Sequence, residues 1–470
     1  MAAQKHNRYC KHKASRLLVG LTLLVGSAIG IMSFIGADSS YAKAGLSSLK
    51  EIKNKSSSGG ASSSNQEHHS AAKPPPWFIL HAGPPKSGTT TIQCDMGRYS
   101  KFLRMDNVAY IGRFGKKRFC PDVKRLQQRS SSNGDDDADP IMTNIPDWNT
   151  CLENAKTCKS KKVWKDFLSV LQHYKDEGNN VLMSDEGIIG RYLYDDPEVL
   201  QLLSDTLAGW RVKVVINYRR YYEWMASYYN THFKYNGHRS HLYQDWPEDN
   251  GGGGQVIPTF PEFYRVHVQS DQSLLQEPEE APKRAFESIA EEVHIFSMYQ
   301  DGDFFTNFVC EILPTGEACN ALVKEKGKMD KVNTKADIEN SSVNNHDYDI
   351  LAVAAYKAGL IDKTNKALTR SKVRRKIENY KESMGDEGKF PQTCLESSDL
   401  LSIFHRSLMN EQTLFPAWFS TRSSMAHMSE IHKEGFDSFV ANRKFCSVNT
   451  SLVLNQGGDW ISFFESLDNT

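Results

Sequence analysis

The 470-residue sequence has no net charge, because 57 lysines and arginines are balanced by 57 aspartates and glutamates. Proteins that bind nucleic acid usually carry an excess of basic residues, so this balance argues against a nucleic-acid partner. The sequence also lacks Cys-x-x-Cys and His-x-x-x-His spacings, and we therefore expect no metal site. It has no internal repeat, which argues against a repeat architecture. Its length suits one large globular domain with accessory segments.

The N-terminal segment has the pattern of a membrane anchor. Residues 1–16 contain five basic residues and no acidic one, and residues 17–37 contain no charge at all. The uncharged run matches the roughly 20 residues that cross a bilayer as a helix. Basic residues before such a span predict a single-pass type II membrane protein with a lumenal main domain. A cleaved signal peptide is the alternative, although its apolar core is usually shorter, roughly 7–15 residues.

A compositional change follows the predicted anchor. Residues 38–75 are rich in serine, glycine, alanine and lysine and run into three prolines. Such a segment buries too little apolar surface to fold, so we expect a disordered, flexible stem. The predicted order is a cytosolic tail (1–16), a transmembrane anchor (17–37), the stem (38–75) and a lumenal domain (76–470).

The cysteines agree with a lumenal location. Eight of the nine follow the predicted anchor, and an even number in an oxidising lumen permits a full set of disulfides. Cys310 and Cys319, separated by a short loop, are the best single pair, whereas Cys94 is also compatible with a buried free thiol. Acceptor sequences for N-glycans occur at Asn54, Asn340 and Asn449.

Short apolar segments alternate with helical patterns along the main domain, and the helical patterns include 197–210 and the charged segment 348–384. The segments with strand character are 77–80, 108–111, 180–183, 212–217 and 293–298. Strands separated by helices predict an α/β fold with a doubly wound parallel sheet flanked by helices. Ligands of such sheets collect at the carboxyl ends of the strands.

The first of these strands leads into a glycine-containing loop and a threonine-rich helix start. Gly83 and Gly88 have the spacing of a nucleoside-triphosphate P-loop, but Thr89 stands where that motif has lysine, and the lysine is Lys86. The sequence PKSGTTT (85–91) resembles the 5′-phosphosulfate loop of sulfotransferases that use 3′-phosphoadenosine 5′-phosphosulfate (PAPS). A degenerate kinase loop and a purely structural turn are the alternatives.

A second motif follows the strand at 212–217. Sulfotransferases bind the donor's 3′-phosphate with an arginine at a strand end and a serine eight residues later, and Arg219 and Ser227 have that spacing. Arginine suits the role because its planar guanidinium binds phosphate through two donors. Arg220, one residue later in the chain, is the alternative arginine for the 3′-phosphate. Together the two motifs resemble membrane-anchored, Golgi-type carbohydrate sulfotransferases, mainly over residues 77–96 and 180–230.

That resemblance implies a P-loop-like α/β fold, PAPS as co-substrate and no metal requirement. It implies that Lys86 binds the 5′-phosphate and the bridging oxygen of the donor, where negative charge builds as the S–O bond breaks. It also implies a Golgi membrane protein whose acceptor is a glycan hydroxyl. The 5′-phosphate would be held by Lys86, Ser87, Gly88, Thr89, Thr90 and Thr91.

Transfer also needs a base for the proton of the acceptor hydroxyl. Many family members have a glutamate shortly after the first helix, but this chain has only Asp106 there. Glu186, at the end of the strand at 180–183, is therefore the preferred candidate, with Asp185 and His81 as alternatives. A strand-to-helix cap for Asp185 and Glu186, and a backbone-bonded histidine for His81, are the structural interpretations.

Two other functions remain compatible with the sequence. One is a nucleotide-dependent phosphotransferase with a degenerate P-loop, in which Ser184 and Asp185 would hold magnesium. The other is a non-catalytic, anchored glycan-binding protein. The spacing of motifs does not indicate an oligomeric state.

Overall fold

The fold is taken from a computed structural model. It describes residues 74–112, 148–239, 245–247, 254, 256–268, 278–300, 302–314, 316–326, 346–362, 364–384, 390–456 and 458–467. The predicted tail, anchor and nearly all of the stem lie outside these ranges, as do Asn54 and Asn340. Within them, no helix combines the length and the apolar character that a membrane crossing requires.

Five parallel strands form the central sheet, as expected from the sequence. They are β1 (Trp77–His81), β2 (Val108–Gly112), β3 (Asn180–Ser184), β4 (Arg211–Tyr218) and β5 (Glu292–Ser297). Their order across the sheet is β2-β3-β1-β4-β5, so β1 is central. His81 pairs in register with Ser184 of β3 and Val215 of β4, which aligns the carboxyl ends of the three strands at one edge.

Helices surround this sheet in the first half of the chain. They are α1 (Thr89–Arg98), α2 (Ser100–Met105), α3 (Trp148–Leu152), α4 (Ala155–Cys158), α5 (Lys162–Asp176), α6 (Gly187–Gly190), α7 (Pro197–Thr206) and α8 (Tyr221–Arg239).

The second half is mainly helical. Its helices are α9 (Phe260–Phe263), α10 (Glu280–Phe286), α11 (Phe304–Ile312), α12 (Glu317–Lys326), α13 (Asp347–Lys357), α14 (Arg370–Met384), α15 (Ser397–Leu414), α16 (Arg422–Ala441), α17 (Thr450–Gln456) and α18 (Gly458–Leu467). A two-stranded antiparallel ribbon joins β6 (Gln392–Cys394) to β7 (Cys446–Val448).

The sheet is buried on both faces, which explains why its strands are continuously apolar. On one face Phe78 and Leu80 of β1 pack in the core that contains residues of α5 and α7. On the other face Ile79 packs with residues of α1 and α11. A separate core, built from α8 and the C-terminal helices, contains many aromatic side chains.

Two predicted helices end earlier than the sequence pattern indicates. The charged segment 348–384 was expected to be helical throughout, but it forms α13 and α14 with a break that contains Gly359. Gly359 has φ 77°, a left-handed conformation that ends a helix at low cost. The helix predicted for 197–210 ends at Thr206, and Gly209 has the same conformation with φ 77°.

The disulfides support the expectation from cysteine spacing. Cys310 and Cys319 are bonded, as predicted, and so are Cys151 with Cys158 and Cys394 with Cys446. Cys94 is also disulfide-bonded, so it is not a free thiol. Disulfides of this number are compatible with a secreted or lumenal protein.

Candidate functional site

The loop after β1 is a tight turn in which two residues have positive φ. Lys86 has φ 74° and Gly88 has φ 85°. A non-glycine residue in this conformation costs about 1 kcal/mol or more, so surrounding contacts must hold it in place. The Ser87 hydroxyl donates to the Pro84 carbonyl at 2.6 Å, and the Asn217 side-chain amide donates to the Ser87 carbonyl at 3.0 Å.

Close packing around the loop also requires a glycine at position 83. A Cβ added there would lie 2.7 Å from Thr89 Cγ2 and 3.1 Å from Asn217 Cβ. Such distances are well below van der Waals contact, so the start of α1 sits against the end of β4 only because Gly83 has no side chain.

The start of α1 presents unpaired backbone donors. Within the described residues, the amides of Gly88, Thr89 and Thr90 have no protein acceptor, and the first amide that is bonded belongs to Thr91. Thr90 and Thr91 are exposed to solvent. Free amides at the positive end of a ten-residue helix can bind an anion through several hydrogen bonds.

Arg219 lies directly against this loop. Its Nη1 donates to the Lys86 carbonyl at 3.0 Å, although 133 residues separate the two positions. Its Nε lies 3.2 Å from the Glu223 carboxylate, and its side chain is 18% exposed. No described residue accepts from its Nη2, so this guanidinium keeps donors for a ligand. The structure therefore brings together the two sequence motifs.

Ser227 lies two turns along α8 from Arg219 and is half-buried. The same helix contacts the loop through Trp224, whose indole N–H donates to the Pro85 carbonyl at 2.9 Å. Within the described residues, no hydrogen bond joins the Ser227 hydroxyl to the loop or to Arg219.

Arg220, the alternative in register, points into the protein. Its Nε lies 3.4 Å from Glu411, with side-chain exposures of 6% and 0%. Burial acts to lower the pKa of Arg220, but Glu411, Tyr222 and Tyr299 together raise the pKa above its ordinary value. Arg220 is therefore part of a buried ion pair, whereas Arg219 faces the loop.

Glu186 reaches the loop from the end of β3. The Thr89 hydroxyl donates to its Oε2 at 2.5 Å, and the side chain is half-buried. Its carboxylate thus lies beside the start of α1, where the free amides are.

Asp185 points away from the loop. Its carboxylate accepts the indole N–H of Trp148 at 2.6 Å and the amide of Gly187 at 2.7 Å. The second contact holds the short turn into α6, in agreement with the capping interpretation. Asp106 also has a capping role, since it accepts the amides of Gly316, Glu317 and Ala318 at the start of α12.

His81 is fully buried at the end of β1. Its Nδ1 lies 2.7 Å from the Ser184 hydroxyl, and its ring packs against Phe308. Burial lowers the pKa of His81 to about 4, so the ring is neutral at physiological pH. Glu186 is the candidate base whose carboxylate accepts a hydrogen bond from the start of α1.

Sequence reasoning missed the side chains that support the loop. Asn217 and Trp224 bind loop carbonyls, and Glu223 pairs with Arg219. The sequence does contain a sign of their role, because all three lie close to Arg219 in the chain, around the end of β4. In the ranges that the structure describes, no group of three or more His, Cys, Asp or Glu residues is arranged to hold a metal ion.

Comparisons with known proteins leave the family open. No protein-family model matches the chain, and no curated protein matches it. A solved structure from the characterization of the PezAT chromosomal toxin–antitoxin system of Streptococcus pneumoniae aligns with 56% of this chain and 88% of its own. The identity is 14% and the TM-score 0.22, and a likeness at that level carries no argument about fold or function.

Proposed function

We propose that the protein is a sulfotransferase that moves a sulfonate group from PAPS to an acceptor hydroxyl. The observation that carries this proposal is the hydrogen bond from Arg219 to the Lys86 carbonyl. It connects a site for one phosphate, at the start of α1, to a cation suited to a second phosphate. PAPS carries two phosphate groups on its adenosine, one at the 5′ position and one at the 3′ position.

The residues present fit the two phosphates of the donor. The amides of Gly88, Thr89 and Thr90 would bind the 5′-phosphate, with the exposed Thr90 hydroxyl nearby. Arg219 would bind the 3′-phosphate through the donors that it does not spend on Glu223 and Lys86. Ser227 would add a hydroxyl from α8. The loop belongs, on this proposal, to a P-loop-like fold.

Lys86 and Glu186 would carry the chemistry. The acceptor oxygen forms a bond to sulfur while the bond from sulfur to the phosphate oxygen breaks, and the lysine ammonium stabilises the charge that develops on that oxygen. Glu186, which lies beside Thr89, takes the proton of the acceptor hydroxyl. The products are the sulfated acceptor and 3′-phosphoadenosine 5′-phosphate (PAP).

The acceptor and the compartment are part of the same proposal. The basic tail and the uncharged run at 17–37 favour a type II protein of the Golgi membrane with a lumenal catalytic domain. The disulfides are compatible with that compartment. A glycan is the acceptor class that we favour, and a tyrosine or small-molecule hydroxyl is the other outcome of the test.

The direct test is to incubate the full-length protein with sulfur-labelled PAPS, without magnesium, against a panel of glycans and tyrosine peptides. We expect label in one or more glycans and release of PAP, both absent from the Lys86→Ala variant. Magnesium-dependent transfer of phosphate from labelled ATP would favour the phosphotransferase instead. Glycan binding with no nucleotide binding would favour the non-catalytic alternative.

A further inference from the structure

A buried ionic cluster lies directly behind the Arg219 site. Glu411, on α15, is fully buried and uses both carboxylate oxygens. One oxygen lies 3.4 Å from Arg220 Nε and the other 2.5 Å from His432 Nδ1, on α16. The cluster Arg220–Glu411–His432 therefore connects the two long C-terminal helices to the turn between β4 and α8.

The turn is held from a third side by Tyr299, two residues after the end of β5. The backbone amide of Arg220 donates to the Tyr299 hydroxyl at 3.1 Å, and its guanidinium carbon lies 4.3 Å from the centre of the Tyr299 ring. Arg220 is thus fixed at both its backbone and its side chain. Because Arg219 immediately precedes it, fixing the backbone of Arg220 also restricts the backbone of Arg219.

α15 makes a second buried contact near the turn through the residue next to Glu411. Asn410 donates to the buried carboxyl of Glu279 at 3.2 Å. Burial raises the pKa of Glu279, and the Asn410 side chain and the backbone of Arg219 counteract the rise. One turn of α15 therefore contacts the surroundings of both arginines, from nearly 200 positions downstream in the chain.

We propose that Glu411 is a positioning residue for the donor site. By holding Arg220 it fixes the turn from β4 to α8, so that the Arg219 guanidinium stays on the Lys86 carbonyl and faces the 3′-phosphate. This inference rests on the proposed function, since it gives Arg219 a ligand. It assigns part of the donor affinity to the C-terminal helices, in which the sequence shows no donor-binding motif.

The test compares PAP affinity and steady-state kinetics of the full-length wild type, Glu411→Gln and a matched control. The control is Asp349→Asn, which breaks another buried ion pair, with Arg370, whose Nε lies 2.9 Å from the carboxylate. We expect Glu411→Gln to lower PAP affinity and raise the KM for PAPS by about tenfold, while kcat and the acceptor KM change by less than about threefold. Asp349→Asn should lose stability without a change in PAP affinity.

A second variant covers the case in which Glu411→Gln does not fold. The double substitution Arg220→Met with Glu411→Leu removes both charges, and such apolar replacements of a buried pair are often neutral for stability. It should also bind PAP about tenfold more weakly, because the guanidinium that anchors the turn is gone. Wild-type affinity in either folded variant, or an equal loss in Asp349→Asn, overturns the inference. Absence of PAP binding by the wild type would instead overturn the proposed function, and this inference with it.

Discussion

The two neighbouring arginines at the end of β4 belong to different kinds of polar region. Arg219 is partly exposed and bonds a loop carbonyl, and in the part of the chain that the structure describes its Nη2 and the amides of Gly88, Thr89 and Thr90 have no acceptor. Arg220 is buried and held by Glu411, which in turn holds His432. Both regions are charged, and they lie on opposite sides of one turn.

The region of Arg219 consists of groups that a ligand can bind, whereas the region of Arg220 consists of groups that stabilise the fold. A buried ion pair is costly to break because the remaining charge has no solvent, whereas an exposed pair contributes little to stability. Open donors at the edge of a parallel sheet contribute little to folding and retain their hydrogen bonds for an anion. Substitutions in the first region should therefore change activity, and substitutions in the second should change stability first.

The largest effect is expected for Lys86→Ala. We expect transfer from PAPS to fall by about 10³-fold, because the charge on the departing phosphate oxygen loses its cation. Alanine keeps a Cβ at φ 74°, so the backbone strain of the loop is unchanged. The rate is measured with labelled PAPS, and the folded state by circular dichroism. Lys162→Ala, an exposed lysine on α5, is the control and should retain full activity.

The two arginines give the next prediction. Arg220→Ala should lower the free energy of unfolding by about 3–5 kcal/mol, since it leaves the buried Glu411 without its cation. Arg219→Ala should lower it by about 1 kcal/mol or less, but should weaken PAP binding by about 10- to 100-fold. Urea unfolding and calorimetric titration measure the two quantities. Equal losses of stability in both variants would remove the distinction between the regions.

The neighbouring acids Glu186 and Asp185 allow the same comparison at β3. Glu186→Gln should reduce kcat by about 10²-fold with little change in PAP affinity, because a general base is lost. Asp185→Asn should retain most activity in the folded protein and lose stability, since its carboxylate binds Trp148 and Gly187. A larger fall in kcat for Asp185→Asn than for Glu186→Gln would show that Glu186 is not the base.

The last prediction concerns the pH dependence of stability that the buried Glu279 produces. Burial raises the pKa of Glu279 to about 8, while Asn410 and the backbone of Arg219 oppose the rise. Between about pH 5 and 8 the folded state therefore keeps a proton that the unfolded chain has lost. Stability from this group is present below pH 5 and decreases as pH rises, by up to about 1.4 kcal/mol per unit.

Urea unfolding at pH 6 and pH 8 measures this contribution. Glu279→Gln should lose this part of the pH dependence, while the neighbouring Glu280→Gln should keep it. His81 has the opposite dependence at lower pH, because its pKa is lowered to about 4 by burial and its stability contribution is lost as pH falls from about 6.5. If the free energy of unfolding of Glu279→Gln has the same pH dependence as that of the wild type, the wild-type Glu279 carboxyl is ionised in the folded protein.

Much of the first region was predictable from local sequence. The five strands are short apolar runs, and the loop and Arg219 follow two of them directly, so the parallel sheet dictates that they meet at one edge. The choice among Glu186, Asp185 and His81 was not predictable, because it depends on side-chain direction at strand ends. Trp148, which binds Asp185, lies 37 positions away in sequence and gave no local signal.

The second region was hardly predictable at all. Glu411 and His432 lie on helices whose sequence pattern shows only that they are helical, and their partner Arg220 is 191 positions from Glu411. Long-range pairing of buried charges depends on how helices pack, and periodicity does not encode it. The break after α13 was missed for a simpler reason, since one glycine, Gly359, is a weak sign of a helix end within a segment of helical pattern.

Equilibrium binding of PAP, 5′-AMP and ATP to the full-length protein tests the central claim most directly. The account predicts that PAP binds without magnesium, that 5′-AMP binds at least about tenfold more weakly, and that Arg219→Ala abolishes the preference by weakening PAP alone. Equal affinity of the wild type for PAP and 5′-AMP, or a magnesium-dependent preference for ATP, would contradict it.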